Sequence, residues 1–416
     1  MIQHKAALVA EPYVSRYFLR TMKALRIPTV PATPWAARTL GVRAALKSAQ
    51  LNLSGLKSPK AALYTNSEEA LDFALSVAGE QKRSMIELFK SKGGLRERLQ
   101  AHYPGFSFQV LSRPELARCA ASPIGYPVVL KPDSGFFSTG IRIVRQDREW
   151  RSAVDSLLAE LARIKTAQSR GGGFSRHVIN PDLILVEDLI EGDEYAADAF
   201  FDISGTPVIL NVFKHPHCSS DDVSHRLYYT STDIVHDNAS RMLDLLDRFQ
   251  DLQPLQSLPL HLEVREAAGA ELIPIEVNPL RFAGWCTTEL ADWAYGINPY
   301  RSFFNFDNPW RHRVRRGAAS GRIYGFVVAY CPPDMNPVDI QAVKWGQLRR
   351  ALGDVIEFRR IDYRRWGVLA VAFVRRRVEA DVTPLASFET RAFIRCKKGT
   401  GLDPHKMGIR PQTKHH

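Results

Sequence analysis

Cysteine is scarce in this chain, and what there is lies scattered. Cys119, Cys218, Cys286, Cys331 and Cys396 are odd in number and have no CxxC spacing. That argues against a disulfide framework and fits a reducing, cytoplasmic setting. Long apolar runs are missing as well, since none reaches the ~18 residues of a membrane span. The apolar patch near the N-terminus, Ala6–Ala10, is broken by Glu11, so neither a signal peptide nor an anchor is expected there. No GKS or GKT occurs, which excludes the common P-loop. No internal repeat stands out.

What remains is ordinary globular material. Apolar residues make up 45% and charged residues 24% of 416 positions, enough for two to four domains with real cores. The net charge is +12, from 56 Lys+Arg against 44 Asp+Glu. Much of the excess lies late, at Arg311, Arg313, Arg315 and Arg316, at Arg375–Arg377, and at Lys397, Lys398, Lys406 and Lys414. None of these runs interleaves aromatics as a base-stacking platform does, so nucleic acid is not the expected partner. Small anions such as nucleotides fit the same balance.

Residues 1–100 alternate strand and helix signals and read as an open α/β domain. Strands are expected at Ala6–Ala10 and Ala61–Thr65, and helices at Val14–Leu25 and Ser67–Ala78, the latter capped by Ser67. A helix from about Gln81 to Ala101 follows, stopped by Pro104. Residues 101–310 mix strand and helix signals. Their expected strands include Phe106–Leu111, Pro127–Leu130, Ile141–Val144, Leu183–Val186, Tyr195–Phe201 and Val208–Phe213. Trp150–Lys165 and Ser240–Phe249 have helical periodicity, and Gly171–Gly173 is a loop. Asp307–Arg316 reads as a linker. Residues 318–392 form a small C-terminal α+β unit, with strands at Arg322–Tyr330, Val355–Tyr363 and Gly367–Arg375 and a helix at Ile340–Leu352. Residues 393–416 read as a basic, disordered tail.

Two constellations carry chemistry. In PLHLEVREAAGAELIPIEVNP, Leu262, Val264, Ile273, Ile275 and Val277 alternate with His261, Glu263, Pro274, Glu276 and Asn278. The connection Ala267–Ala270 contains Gly269, so the two runs form an antiparallel hairpin that sets Glu263 close to Glu276. Like charges so placed destabilise a sheet unless a cation sits between them. Hard divalent cations such as Mg²⁺ take oxygen ligands of this kind. The bland reading is an amphipathic hairpin with a solvated acidic face. Earlier in the chain, Lys131-Pro132 ends a strand, and the loop Asp133–Gly140 follows. Its small residues and two glycines let backbone N–H groups turn toward a phosphate, with Lys131 as a point charge. The bland reading is a hairpin connection.

Lys-Pro with a Gly-rich loop, then Val-Glu-Asp-Leu-Ile-Glu-Gly-Asp-Glu, then Leu-Glu-Val and Ile-Glu-Val-Asn-Pro, together resemble the ATP-grasp superfamily from about Glu87 to Tyr300. The resemblance implies ATP held between two α+β lobes, residues 101–185 and 186–310, and a ligase that activates a carboxylate as an acyl phosphate and joins it to an amine. It implies that Lys131 and Lys92 bind phosphates, with Lys90 as rival to Lys92. Ser134, Gly135, Phe136, Ser138, Thr139 and Gly140 would close over the β- and γ-phosphates, and Phe136-Phe137 would exclude water. Glu187, Asp188 and Leu189 would form the hinge at the adenine edge, and Glu194 would bond the ribose. Glu263, Glu276 and Asn278 would hold one or two Mg²⁺, or Mn²⁺. Lys214 would be a further cation at the γ-phosphate. The family commonly has arginine two residues after the asparagine. Leu280 stands there instead, and by the resemblance Arg281 one place later, with a shifted backbone, would bind the phosphoryl group or a substrate carboxylate.

Other features carry less. His215, His217 and Cys218 are too close in sequence for a tetrahedral zinc site. His225, His236, Asp221 and Asp222 read as structural or solvated. Cys286 reads as a buried thiol, and Trp285, Trp293 and Tyr295 as core. Two rivals to the ligase stand: an ATP-binding scaffold without turnover, and a nucleic-acid-associated protein using the basic C-terminal third. Small-molecule substrates and no membrane are expected, and self-association stays open.

Overall fold

The computed structural model describes residues 4–41, 53–135, 139–169, 178–216, 226–267, 269–310 and 321–396. The expected loop residues Phe136–Ser138, the loop Gly171–Gly173, His217, Cys218, Asp221, Asp222 and His225 lie outside them. So do the basic part of the linker and the tail beyond Cys396.

The N-terminal domain is built on a three-stranded parallel sheet. Strands β1 (Lys5–Val9), β2 (Thr29–Pro31) and β3 (Ala62–Thr65) lie in the order β2-β1-β3. Parallel sheets of this kind commonly present ligand-handling residues at the carboxyl ends of their strands. The Thr65 N–H donates to Leu280 O at 2.7 Å, joining this sheet to the end of the metal-candidate strand.

The small lobe is a four-stranded antiparallel sheet in the order β4-β7-β5-β6: β4 (Phe108–Ser112), β5 (Val128–Pro132), β6 (Arg142–Val144) and β7 (Leu183–Asp188). The Asp147–Ser169 helix covers one face through Trp150, Val154, Leu157 and Leu161, spaced as a helix stripe and fully buried.

The large lobe contributes β8 (Glu194–Phe201), β9 (Pro207–His215), β10 (Leu227–Thr230), β11 (Leu258–Glu266) and β12 (Leu272–Pro279). The C-terminal unit adds β13 (Ile323–Tyr330), β14 (Ile340–Val343), β15 (Val355–Arg360), β16 (Val368–Arg376) and β17 (Ile394–Cys396). Most of these share one sheet, in the order β12-β11-β8-β9-β10-β13-β16-β15. Strands β13, β15 and β16 therefore continue the large-lobe sheet, while β14 and β17 pair as a separate two-stranded sheet.

Four local expectations are corrected. The single helix from Gln81 to Ala101 is two helices, Glu80–Lys90 and Lys92–Leu99, broken at Ser91. Gly93-Gly94 weakens helix continuation there. The break is satisfied from outside, because the Ser91 hydroxyl accepts from Gly94 N–H and the Asp133 carboxylate accepts from Gly93 N–H at 2.7 Å. Ser67 makes no side-chain cap, and a short turn of 3₁₀ helix, Glu68–Ala70, precedes the Leu71–Val77 helix. Ile340–Leu352 is a strand plus a helix, Trp345–Ala351, because Ile340–Val343 pairs with β17. That pairing also brings residues 394–396, expected in the tail, into a strand.

Candidate active site

The expected antiparallel hairpin forms. Glu263 lies directly opposite Glu276, and His261 opposite Asn278, on antiparallel β11 and β12. A bulge follows between Glu263 and Val264, so Ile275 has no partner of its own and lines the cleft beside Glu276. Part of the acid–acid repulsion is offset by neighbours. His261 Nε2 is 3.3 Å from Glu263, and Lys92 Nζ is 3.6 Å from Glu276. Burial would lower the His261 pKa, but hydrogen bonds to Asp198 and Glu263 raise it to about 9, so the ring is cationic at neutral pH. Asp198 also accepts from Ala283 N–H at 2.8 Å and so holds the ring fast.

Asn278 is 2% exposed, and its Oδ1 has no hydrogen-bond partner. An orphaned buried acceptor on the same strand face as two carboxylates is a hard oxygen set short of a cation. These residues fit Mg²⁺. Among the described residues no cluster of three or more His, Cys, Asp or Glu is arranged to hold a metal, so the amide oxygen is essential to this fit.

Above the hairpin, β5 ends with Lys131 buried against Glu187 of β7, at 2.6 Å; Arg96 bonds the other Glu187 oxygen at 2.7 Å. Burial would raise the Glu187 carboxyl, but Arg96 and Lys131 hold it at about 2. Lys131 Nζ also donates to Ile275 O at 3.2 Å, linking the small lobe to the metal-candidate strand. Lys92, not Lys90, reaches this cleft, and its Nζ donates to Gly135 O at 3.1 Å. Lys90 pairs with Glu68 at 2.8 Å instead. The break at Ser91 separates the two lysines by sending them in different directions.

Lys92, Lys131, Gly135, Thr139, Glu187, Asp188, Leu189, Glu194, Glu263 and Glu276 line one open cleft. Its apolar walls come from Val129, Ile141, Ile143, Ile190 and Ile275, which suits a flat heterocycle. The Leu189 N–H is taken by Pro127 O at 3.1 Å, so that hinge donor is not open to a base edge. Glu194 holds Arg265 at 2.9 Å and His215 at 2.9 Å. Ser134 and Gly140 support the loop from behind: the Ser134 hydroxyl donates to Lys90 O at 2.7 Å, and Gly140 adopts φ 75° against Pro132. Phe136 and Ser138 lie outside the described residues.

Lys214 is a correction. It is paired in the sheet with Tyr195, whereas Phe213 lies beside Ala196 and hence Glu263. Strand alternation therefore sends Lys214 to the opposite face, where it bonds Asp193 at 2.8 Å and approaches Glu379 at 3.5 Å. His215, one residue on, occupies the site face. Arg281 is placed by the residue before it. Leu280 takes a left-handed backbone (φ 66°), uncommon for leucine, and its side chain is fully buried. Arg281 then bonds Glu68 at 2.7 Å, with the charges of Glu276 and Glu263 also acting on it.

Residues 124–289 match the ATP-grasp domain family. This stretch is an ATP-grasp domain. The uncharacterized protein y4rH of Sinorhizobium fredii is 29% identical over 185 residues, covering 44% of this chain and 34% of that relative, about a third of its length. The L-amino acid ligase from Bacillus licheniformis superposes with TM-score 0.63 at 14% identity, over 96% of this chain and 99% of that one. N5-carboxyaminoimidazole synthase from Aspergillus clavatus, solved with ADP and its ribonucleotide, gives 0.59 at 12% identity, over 92% and 98%. At these identities the likeness establishes a shared ATP-grasp fold that extends beyond the matched domain.

Sequence reasoning missed Arg265, His215, Asp198 and Glu68. Alternation places Arg265 beside Glu263 on the site face and was a usable signal. Glu68 had none, because its partners lie 22 and 213 positions away.

Proposed function

We propose that this chain is an ATP- and Mg²⁺-dependent ligase that joins a carboxylate to an amine. An amino acid or small peptide is the proposed amine side. The observation that carries the reading is the orphaned Asn278 oxygen beside the facing Glu263 and Glu276. Glu263, Glu276 and Asn278 would hold the divalent ion, which supplies charge neutralisation to the phosphates. Lys92 and Lys131 would bind phosphate oxygens, the apolar walls would take the adenine, and Glu194 the ribose. The L-amino acid ligase with the same fold supports an amino-acid substrate.

A carboxylate is a poor acyl donor because oxide is a poor leaving group. In the proposed reaction a carboxylate oxygen attacks the γ-phosphorus, the bond to the bridging oxygen breaks, and ADP leaves. The amine then attacks the acyl carbon, phosphate leaves with the C–O bond electrons, and the amine proton passes to solvent. Arg281 and Lys92 would stabilise the charge on the transferred group, and positioning does most of the work. Phosphate release from ATP and Mg²⁺, measured across a panel of acid and amine pairs, tests this reading. Release that depends on a specific pair supports it; no pair-dependent release across the panel overturns it.

A further inference from the structure

Glu68 stands outside every motif, at the carboxyl end of β3 in the N-terminal domain. It is 7% exposed and carries two charge-assisted bonds in opposite directions. Oε1 accepts from Arg281 Nε at 2.7 Å, and Oε2 accepts from Lys90 Nζ at 2.8 Å. Lys90 ends the Glu80–Lys90 helix, its carbonyl accepts from Ser134 of the phosphate loop, and Lys92 follows two residues later. Arg281 follows the metal-candidate strand, and Thr65 bonds Leu280 O just before it. One carboxylate thus touches both the segment leading to the phosphate lysine and the arginine beside the acids.

We propose that Glu68 is a positioning residue that fixes Arg281 and the Lys90–Lys92 segment relative to one another across the cleft. Without it, Arg281 is drawn toward Glu263 and Glu276, whose charges it already feels, and away from the group being transferred. The inference rests on the ligase reading for its effect on turnover, but the coupling itself is a property of the fold. Burial would raise the Glu68 carboxyl, yet the two cations hold it at about 2, so the clamp is ionised under all ordinary conditions.

The test uses the full chain and Glu68→Gln, which keeps the shape and loses the charge. Amide hydrogen exchange should accelerate together in residues 90–95 and 280–283, with β1 unchanged. ATP turnover should lose kcat by at least about tenfold while KM for ATP and the affinity for Mg·ADP stay within about twofold. In the double variant with Arg281→Lys, the loss should be no larger than for Arg281→Lys alone, as for residues acting as a unit. Exchange that rises in only one of the two segments, an unchanged kcat, or multiplicative losses would each overturn the proposal. If wild type binds Mg·ADP but turns over no substrate pair, the ligase reading falls, and the exchange pattern alone decides for or against Glu68. Should Glu68→Gln fold poorly, Lys90→Met gives the same exchange readout from the other side of the clamp.

Discussion

At the scale of single residues, the site is a set of charges that only partly cancel. Glu276→Gln removes one ligand charge on a side chain facing the cleft, so the fold should persist. Turnover should fall by roughly 10²–10³-fold, as for other groups that stabilise transition-state charge. Steady-state kinetics with a melting curve separates the two effects. Lys131→Met is a different case. It strips a buried partner from Glu187, and Arg96 remains to compensate. The stability loss should therefore stay below the about 3–5 kcal/mol of a broken buried pair, while the KM for ATP rises by about tenfold or more. A denaturation midpoint and a KM measured on the same preparation check both numbers.

At the scale of elements, what was legible in the sequence was what strand alternation and short turns control. The β11–β12 hairpin and the nearness of Glu263 to Glu276 could be read from period-two alternation and a Gly-containing turn, but the bulge that brings Ile275 to the cleft could not. Lys214 could not. Its role required knowing where β9 ends, and a one-residue shift changes the face of a side chain. The Ser91 break was hidden for another reason: Asp133, which caps Gly93, is 40 residues away in the chain. That break sets up a test. A Cβ at Gly93 would meet Val110 Cγ2 at 2.3 Å and Asp133 Oδ1 at 3.0 Å. Gly93→Ala should cost about 1–3 kcal/mol and displace Lys92, raising the KM for ATP more than it lowers kcat. Equal KM with only a lower melting point would show that Lys92 is not tied to the nucleotide.

At the scale of the molecule, the small-lobe sheet and an eight-stranded sheet that extends into the C-terminal unit both line the cleft, and the N-terminal domain joins them through Thr65 and Glu68. Buried ion pairs at these junctions tie stability to pH. Glu68 and Glu187 have folded-state values of about 2, below the ordinary 4.5. Groups depressed in this way contribute fully above the unfolded value and lose that contribution as pH falls through the folded one. Urea midpoints should therefore fall steeply between pH 4.5 and about 2, and Glu68→Gln should flatten that slope. Composition and charge were compatible with binding small anions, but the contact of Glu68 with both Lys90 and Arg281 depends on long-range folding and left no local trace.

Isothermal titration of ADP into the full chain, with and without Mg²⁺, tests the central claim most directly when repeated on the Glu263→Gln/Glu276→Gln double variant. The expected result is that Mg²⁺ tightens ADP binding by about tenfold or more in wild type and hardly at all in the variant. Binding that ignores Mg²⁺ in wild type, or an equal Mg²⁺ effect in the variant, would contradict a divalent ion held between the facing glutamates and Asn278.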